Sequence, residues 1–498
     1  MPSMPLMPFI TSRLNFLFRS TKGLILVGIA MIALVAAIWG TLSGPLQELG
    51  IGALTVRVLG MKLVESEREG RIILLYHTIA MAVVAIETYM ITAVMPMKKE
   101  QQVRINGTIT VGYITALISG LIFAYFGRNW IFHGLFLFGQ SLVFFAGLML
   151  AAALWPWRKE CRARGPDYAQ TRGGIDLEGV AFFVMAVTTL GSTLFGAVAG
   201  AYMGNGFESF LAENVVRQPY KDALQLAVIG HLHIMLTLIA VAAVLLHGRW
   251  LDFKGTLHKL AMPLIMVGTV VLTLGVWMVV PLEEIAHYII YAGSVLVLLA
   301  ALFLVIYGWR KLIAERLAEQ GIENATFRQK LAALLHDPLR FGSLWQMVYM
   351  NFVTTFIGIF MAIRLDKLIR TWDMREERVI LTGHWHILSA IIATILLFYY
   401  ADMAGLKGKA RQGFGWLVII ASNVAFFGAT LYETKRIYVT ETAQQKLVDW
   451  ALFLTDAGLA LVVVGLALVM LWRLFDLFKK DGRWATEAAE PDPREVTA

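Results

Sequence analysis

The string Gly383-His384-Trp385-His386-Ile387-Leu388 opens an apolar stretch over residues 379–402. A helix needs about 20 mostly apolar residues to cross the hydrocarbon core of a bilayer, so this stretch predicts a transmembrane helix. It also sets two imidazoles inside an apolar segment, where such groups are costly and usually face a bundle interior or a cavity. The two facts together define the chain: a membrane helix that carries ligating side chains.

Working outward, eleven more stretches have the same length and character. The full set is 24–43, 72–96, 107–126, 131–155, 178–203, 223–247, 259–281, 285–309, 343–364, 379–402, 412–433 and 448–473. Backbone polar groups in lipid must be paired within the span, so these are helices. The first is too long for a signal-peptide core and shows no clear cleavage site, which makes it a true span. The polar end, Lys479 to Ala498, is expected to be disordered. Hydrophobic residues make up 58% of the 498 residues, charged residues 16%, and the mean hydropathy is +0.67. Soluble domains lie near half apolar and a quarter charged, so soluble domains, a disordered chain and a disulfide scaffold are excluded. The single cysteine, Cys161, leaves no disulfide framework, no thiolate zinc site and no attachment motif for a covalent haem.

The net charge of +8 is an orientation signal. Twelve spans put both termini on one side, together with the loops after the even-numbered spans. That side holds about 27 of the 43 basic residues and the other loops about 15. The basic clusters Arg158–Arg172 and Arg310–Arg340 fall on it, so it is cytoplasmic, and the excess charge serves topology and anionic lipid, with no nucleic-acid partner implied. The expected fold is an all-α integral membrane protein of twelve transmembrane helices. Residues 1–23 form a cytoplasmic segment, 24–473 the membrane domain and 474–498 a polar cytoplasmic tail.

Ten histidines are present, and seven gather at one depth. His77, His133, His231, His233, His287, His384 and His386 all lie at or near the start of spans that enter from the outer side. His247, His258 and His336 fall at the inner surface and read as ordinary. One buried imidazole is more often a hydrogen-bonded core residue than a ligand; seven at one level point to a haem or metal site near the outer face. His231 follows His77 by 154 residues and precedes His384 by 153. That is one histidine motif every four spans, as expected for three four-helix arcs in a pseudo-threefold bundle. Residues two apart on a helix point about 200° from one another. His384 and His386 therefore cannot easily chelate one metal, but each can ligate a different haem, with Trp385 between them. His77 is the candidate partner on another helix.

At these residues the chain resembles the catalytic subunit I of the haem–copper oxidase and nitric oxide reductase superfamily. The resemblance covers the twelve spans, the cytoplasmic termini and the histidine positions. The segment from Trp345 through Gly358, Ala362, Asp366 and Val379 to Gly383-His384-Trp385-His386 is similar to that superfamily's spans 9 and 10. The resemblance implies that His384 holds a high-spin haem, and that His77 and His386 are the axial pair of a low-spin haem. It further implies that Lys435-Arg436, after span 11, face the haem propionates, where a cation forms charge-assisted hydrogen bonds. The plain alternative for Lys435-Arg436 is an interfacial charge pair.

The departures are as informative. The superfamily's copper or non-haem iron centre takes one histidine from span 6, which His231 matches, and an adjacent histidine pair from span 7. After Val276-Trp277, span 7 reads Met278-Val279-Val280-Pro281, without that pair. The oxygen-reducing members carry a tyrosine in span 6 or 7; here Met235 follows His231 by one turn and span 7 has no tyrosine. The glutamate that nitric oxide reductases place in span 6 is also absent. A rebuilt non-haem metal site would draw on His231, His233, Glu283, Glu284 and His287, a mixed set that suits iron better than copper. The alternative is no second metal, with His231 or His233 capping a haem or hydrogen-bonded to another group and the glutamates solvated. Glu87 in span 2 is the main intramembrane carboxylate, serving either proton transfer or an interior pair.

The expected function is a haem-binding redox subunit of a respiratory chain, passing electrons from a cytochrome c-type or quinol donor alongside other membrane subunits. Oxygen reduction is not expected. A nitric oxide reductase-like enzyme with the rebuilt metal site is one alternative, and a haem-free transporter or complex anchor is another. A bacterial or archaeal cytoplasmic membrane is the expected location, ahead of an organelle inner membrane.

Overall fold

A computed structural model describes residues 6–42, 49–63, 68–127, 129–202, 223–364, 367–372, 374–480 and 482–489. Asp366 lies outside the described residues. The described chain is helical with no strand, its one extended pairing being a bridge between Gln170 and Asp176. Among the described residues twelve helices are long and apolar enough to cross a membrane, which marks a multi-pass membrane protein. They are numbered here as spans in chain order: Thr21–Leu42, Leu74–Val94, Lys99–Tyr125, Trp130–Ala153, Leu177–Val198, Leu226–Trp250, Thr256–Met278, Glu283–Glu319, Pro338–Arg364, Gly383–Met403, Gly408–Ile437 and Ala443–Phe478.

Several helices outrun the hydrophobic stretches that define them. Span 8 runs for 37 residues, about 55 Å at the helical rise, so its last turns leave the apolar zone. They bear Arg310, Lys311, Glu315, Arg316 and Glu319, whose i,i+3 and i,i+4 ion pairs support a solvated helix end. Thr326 then caps a short helix, Phe327–Leu334, through a capping box with Gln329, and Asp337 caps the helix that opens span 9. Within span 9 the backbone widens into a π-helical turn over Tyr349–Thr354, a device that is frequent at functional sites. The polar end of the chain departs from expectation. Residues Arg483–Ala489 form a helix, because Trp484 has an apolar place to go and is only 7% exposed.

The chain divides into two compact units. The first comprises Met1–Arg162, Phe182–Met235 and Phe475–Ala498. In it spans 3 and 4 cross closely. A Cβ on Gly112 would stand 2.9 Å from the Gly139 carbonyl oxygen, and one on Gly139 would stand 2.6 Å from that of Gly112. Without a hydrophobic drive between helices in lipid, such small-residue contacts supply the packing. Spans 2 and 3 are joined by polar contacts in an otherwise apolar core: the Tyr89 and Thr110 hydroxyls at 2.5 Å, and Thr92 Oγ1 donating to Asn106 Oδ1 at 2.9 Å. The second unit comprises Ala163–Ala181 and Leu236–Leu474. There spans 9 and 11 are pinned by Trp345 Nε1 donating to Asn423 Oδ1 at 2.8 Å and Gln346 Nε2 donating to Ser422 Oγ at 2.7 Å.

Candidate functional site

The first unit holds His77, His133, His231 and His233. The rings of His77 on span 2 and His231 on span 6 lie nearly parallel, with centroids 6.2 Å apart and 16° between their planes. His231 Nδ1 lies 3.0 Å from the Ser192 carbonyl oxygen. A carbonyl can only accept, so Nδ1 carries the proton and Nε2 carries the lone pair. The ring rests on the backbone of span 5, where a Cβ on Gly196 would stand 2.3 Å from its Cε1 and Nδ1. Glycine at 196 is therefore a condition for His231 to sit there. His233 Nδ1 turns back onto the Ile229 carbonyl at 2.8 Å, which ties it to its own helix. His133 is buried between Phe123 and Trp130, at centroid distances of 5.2 and 5.7 Å, the aromatic-packed environment of a core histidine. Glu87 is 4% exposed, and among the described residues no hydrogen bond reaches its Oε1.

The second unit holds the Gly383-His384-Trp385-His386 string, on the continuous helix Met374–Met403. His384 is buried at 7% exposure, whereas His386 is exposed. The Trp385 ring stands 6.4 Å from that of His384. Span 9 faces His384 at Gly358, where a Cβ would lie 3.3 Å from His384 Cε1 and 3.6 Å from Nε2. One turn earlier, the π-helical segment carries two buried polar atoms, Asn351 Nδ2 and Thr354 Oγ1, that no hydrogen bond reaches among the described residues. Lys435 is buried, 3% exposed, with its Nζ 2.5 Å from Glu376 Oε2 and 4.6 Å from the Tyr432 ring centroid. Arg436 beside it is half-buried.

Of the mixed metal set, Glu283, Glu284 and His287 belong to the second unit. Glu283 and Glu284 occupy the first turn of span 8, where carboxylates complement the helix dipole. Glu284 is exposed, and the His287 ring stacks at 6.4 Å on Tyr291 one turn on. Among the described residues no three His, Cys, Asp or Glu side chains converge as a metal site.

A haem fits the surroundings of His384. The imidazole is buried in an apolar helical unit, the facing helix presents a glycine in place of a side chain, and orphaned polar atoms lie on the π turn of that helix. Haem binding uses an axial imidazole, an apolar shell and a few polar contacts. Lys435 bonded to Glu376 makes a neutral pair, so a propionate there would share or displace Glu376.

Glu433 is the site residue that sequence reading passed over. It is 2% exposed, neither carboxylate oxygen has a hydrogen-bond partner among the described residues, and Oε2 would stand 2.7 Å from a Cβ on Gly383. A buried acid therefore lies against the backbone immediately before His384. In sequence it reads as a helix-end charge beside Lys435 and Arg436; its signal was an acid in the last turn of an otherwise apolar span.

Two histidines expected to be ordinary surface residues are also buried. His247 packs on Trp250 and Tyr399 at 5.0 and 5.8 Å. His258 lies edge-on between Phe253 and Tyr168, and its Nδ1 accepts the Ala169 amide at 2.9 Å. His258 is covered because residues 163–176 fold onto the ends of spans 6 and 7, and ion pairs hold that segment there. Arg249 reaches Glu178 at 2.9 Å and Asp176 at 3.1 Å, and Arg164 reaches Glu178 at 2.9 Å. Tyr168 and Lys254 both donate to Asp252, at 2.5 and 2.7 Å. Burial draws the Asp252 carboxyl up, but these hydrogen bonds outweigh it and leave its pKa below the usual carboxylate value. Burial and the Asp252 bond together raise the Tyr168 hydroxyl.

No family model and no curated protein matches this chain.

Proposed function

We propose that the chain is a haem-binding membrane redox subunit, similar to the catalytic subunit of the haem–copper oxidase and nitric oxide reductase superfamily. The observation that carries the reading is His384: a buried imidazole on a long apolar helix, faced by Gly358 and a π-helical turn. On this reading His384 would hold one haem. His77 and His386 would hold a second, low-spin haem, as the sequence resemblance implies. Bound haem would supply one-electron chemistry, while the chain sets its potential through ligand identity, burial and nearby charge. The resemblance implies that Lys435, already paired with Glu376, and Arg436 would face the propionates, and the Trp385 ring stands beside that of His384.

His231 offers Nε2 as its lone-pair atom, because Nδ1–H is committed to the Ser192 carbonyl. It is thus poised to ligate or to accept a proton, and the stacked His77 shares that region of the first unit. The reading places the histidine-bearing ends of the spans on the outer side of a bacterial or archaeal cytoplasmic membrane, with a cytochrome c-type or quinol donor and further membrane subunits as partners. Without the span 7 histidine pair and the tyrosine, oxygen reduction is not part of the proposal.

The test is ligand-specific spectroscopy. His77→Ala and His386→Ala should each remove the low-spin haem signal, whereas His384→Ala should spare it and remove the high-spin signal. Haem signals unchanged in all three variants would sink the assignment.

A further inference from the structure

The helix Leu6–Arg19 precedes span 1 with only Ser20 between them. Ser20 bonds to both helices: its hydroxyl donates to the Phe16 carbonyl at 2.8 Å and accepts the Gly23 amide at 3.0 Å, capping span 1. The helix is thus tied directly to the end of a helix long and apolar enough to cross a membrane.

Its surface divides into three faces at helical spacing. The first is docked on protein. Phe16 is 1% exposed and meets Trp484 edge-on at 6.4 Å. Arg13 donates to the Leu477 and Lys479 carbonyls at 3.0 and 3.1 Å and lies over the Phe9 and Trp484 rings at 3.9 and 4.2 Å. Asp476 accepts the Arg483 and Trp484 amides at 2.9 and 3.0 Å and so starts the last helix against this face. The second face is polar: Thr11, Asn15 and Arg19 are exposed. The third is apolar and exposed, with Met7 at 75%, Ile10 at 41%, Leu14 at 48% and Phe18 at 47%. Steps of three and four residues put these four within one narrow stripe, with the polar row beside it.

We infer that Leu6–Arg19 is an interfacial helix, with its Met7–Ile10–Leu14–Phe18 stripe immersed in the acyl region of the bilayer and its polar row in the headgroups. Three observations choose lipid as the occupant. The stripe continues from a helix that itself belongs in lipid. An apolar stripe beside a polar face is what a helix lying in the membrane plane requires. The exposed cations Arg19, Lys479, Lys480 and Arg483 suit acidic headgroups at the same level. The last helix, clamped through Arg13 and Trp484, holds the interfacial helix in place from the far end of the chain.

The experiment uses the full chain in vesicles of phosphatidylcholine and phosphatidylglycerol. Nitroxide labels are placed one at a time by Met7→Cys, Ile10→Cys, Leu14→Cys, Phe18→Cys, Thr11→Cys and Asn15→Cys; buried Cys161 makes the unmodified chain the background control. Collision with oxygen, relative to a water-soluble nickel complex, should be several-fold higher at 7, 10, 14 and 18 than at 11 and 15. Equal exposure to the nickel complex in both rows overturns the inference. So does shielding of the four stripe positions from both agents, which would mean a second copy or another protein covers them. A carbene probe dissolved in the bilayer tests the unmodified chain: insertion along the stripe supports the inference, and its absence there overturns it.

Discussion

The contact between Gly383 and Glu433 is a tight single-residue constraint in the second unit. A methyl group on residue 383 would enter the space of the Glu433 carboxyl, 2.7 Å from Oε2 and 3.0 Å from Cβ. Overpacking of this kind costs about 1–3 kcal/mol. Gly383→Ala should therefore lower the thermal unfolding temperature by several degrees, and Glu433→Ala in the same chain should recover most of the loss. Glu433→Gln alone keeps the shape and removes a buried ionisable group whose oxygens have no hydrogen-bond partner among the described residues, so unfolding should occur at the same or a higher temperature. A large loss of stability in the Gln variant would show that the carboxylate is engaged in a bond this account lacks. Gly358→Val should perturb any chromophore held by His384, because even a Cβ there would stand 3.3 Å from the ring. The histidines were legible as single letters in apolar runs. Glu433 was not, because its meaning depends on a backbone contact with a residue 50 positions earlier in the chain.

Among the elements, the most instructive is the loop 163–176, which a hydropathy reading leaves as a polar connection. It is a clamp built on Arg249. Glu178 is 1% exposed at the side chain and Arg249 8%, so removing the arginine strands buried carboxylates. Breaking one partner of a buried pair costs about 3–5 kcal/mol, whereas replacing both with apolar residues can be neutral. Arg249→Met should therefore destabilise strongly, Arg249→Met with Glu178→Leu much less, and thermal unfolding of the three chains measures the difference. The clamp also predicts a pH dependence. The folded pKa of Asp252 lies below its ordinary value, so its contribution is fully present above that ordinary value and is lost as pH falls through the lowered one. Amide exchange at Ala169, whose N–H is bonded to His258, should accelerate across that acid range. Asp252→Asn should flatten the profile, and an unchanged profile would contradict the assignment. Charge counting placed these residues on one side of the membrane, but the pairs link positions 164, 176, 178, 249 and 252, and no local pattern announces such pairing.

Across the whole molecule, the twelve helices were legible because lipid leaves the backbone few options and a run of apolar residues states its own length. The extensions of span 8 and the closing helix at Arg483–Ala489 were less so, since they depend on capping and on Trp484 finding a partner. The central claim, haem in a membrane protein of this form, belongs to this scale, because it concerns what the assembled bundle holds. It is tested most directly by a reduced-minus-oxidised optical spectrum of the purified chain, with haem quantified per polypeptide. The account predicts haem absorption bands and two haems per chain, falling to one in His384→Ala. A purified, folded chain with no haem band would contradict it and return the molecule to the transporter or anchor class.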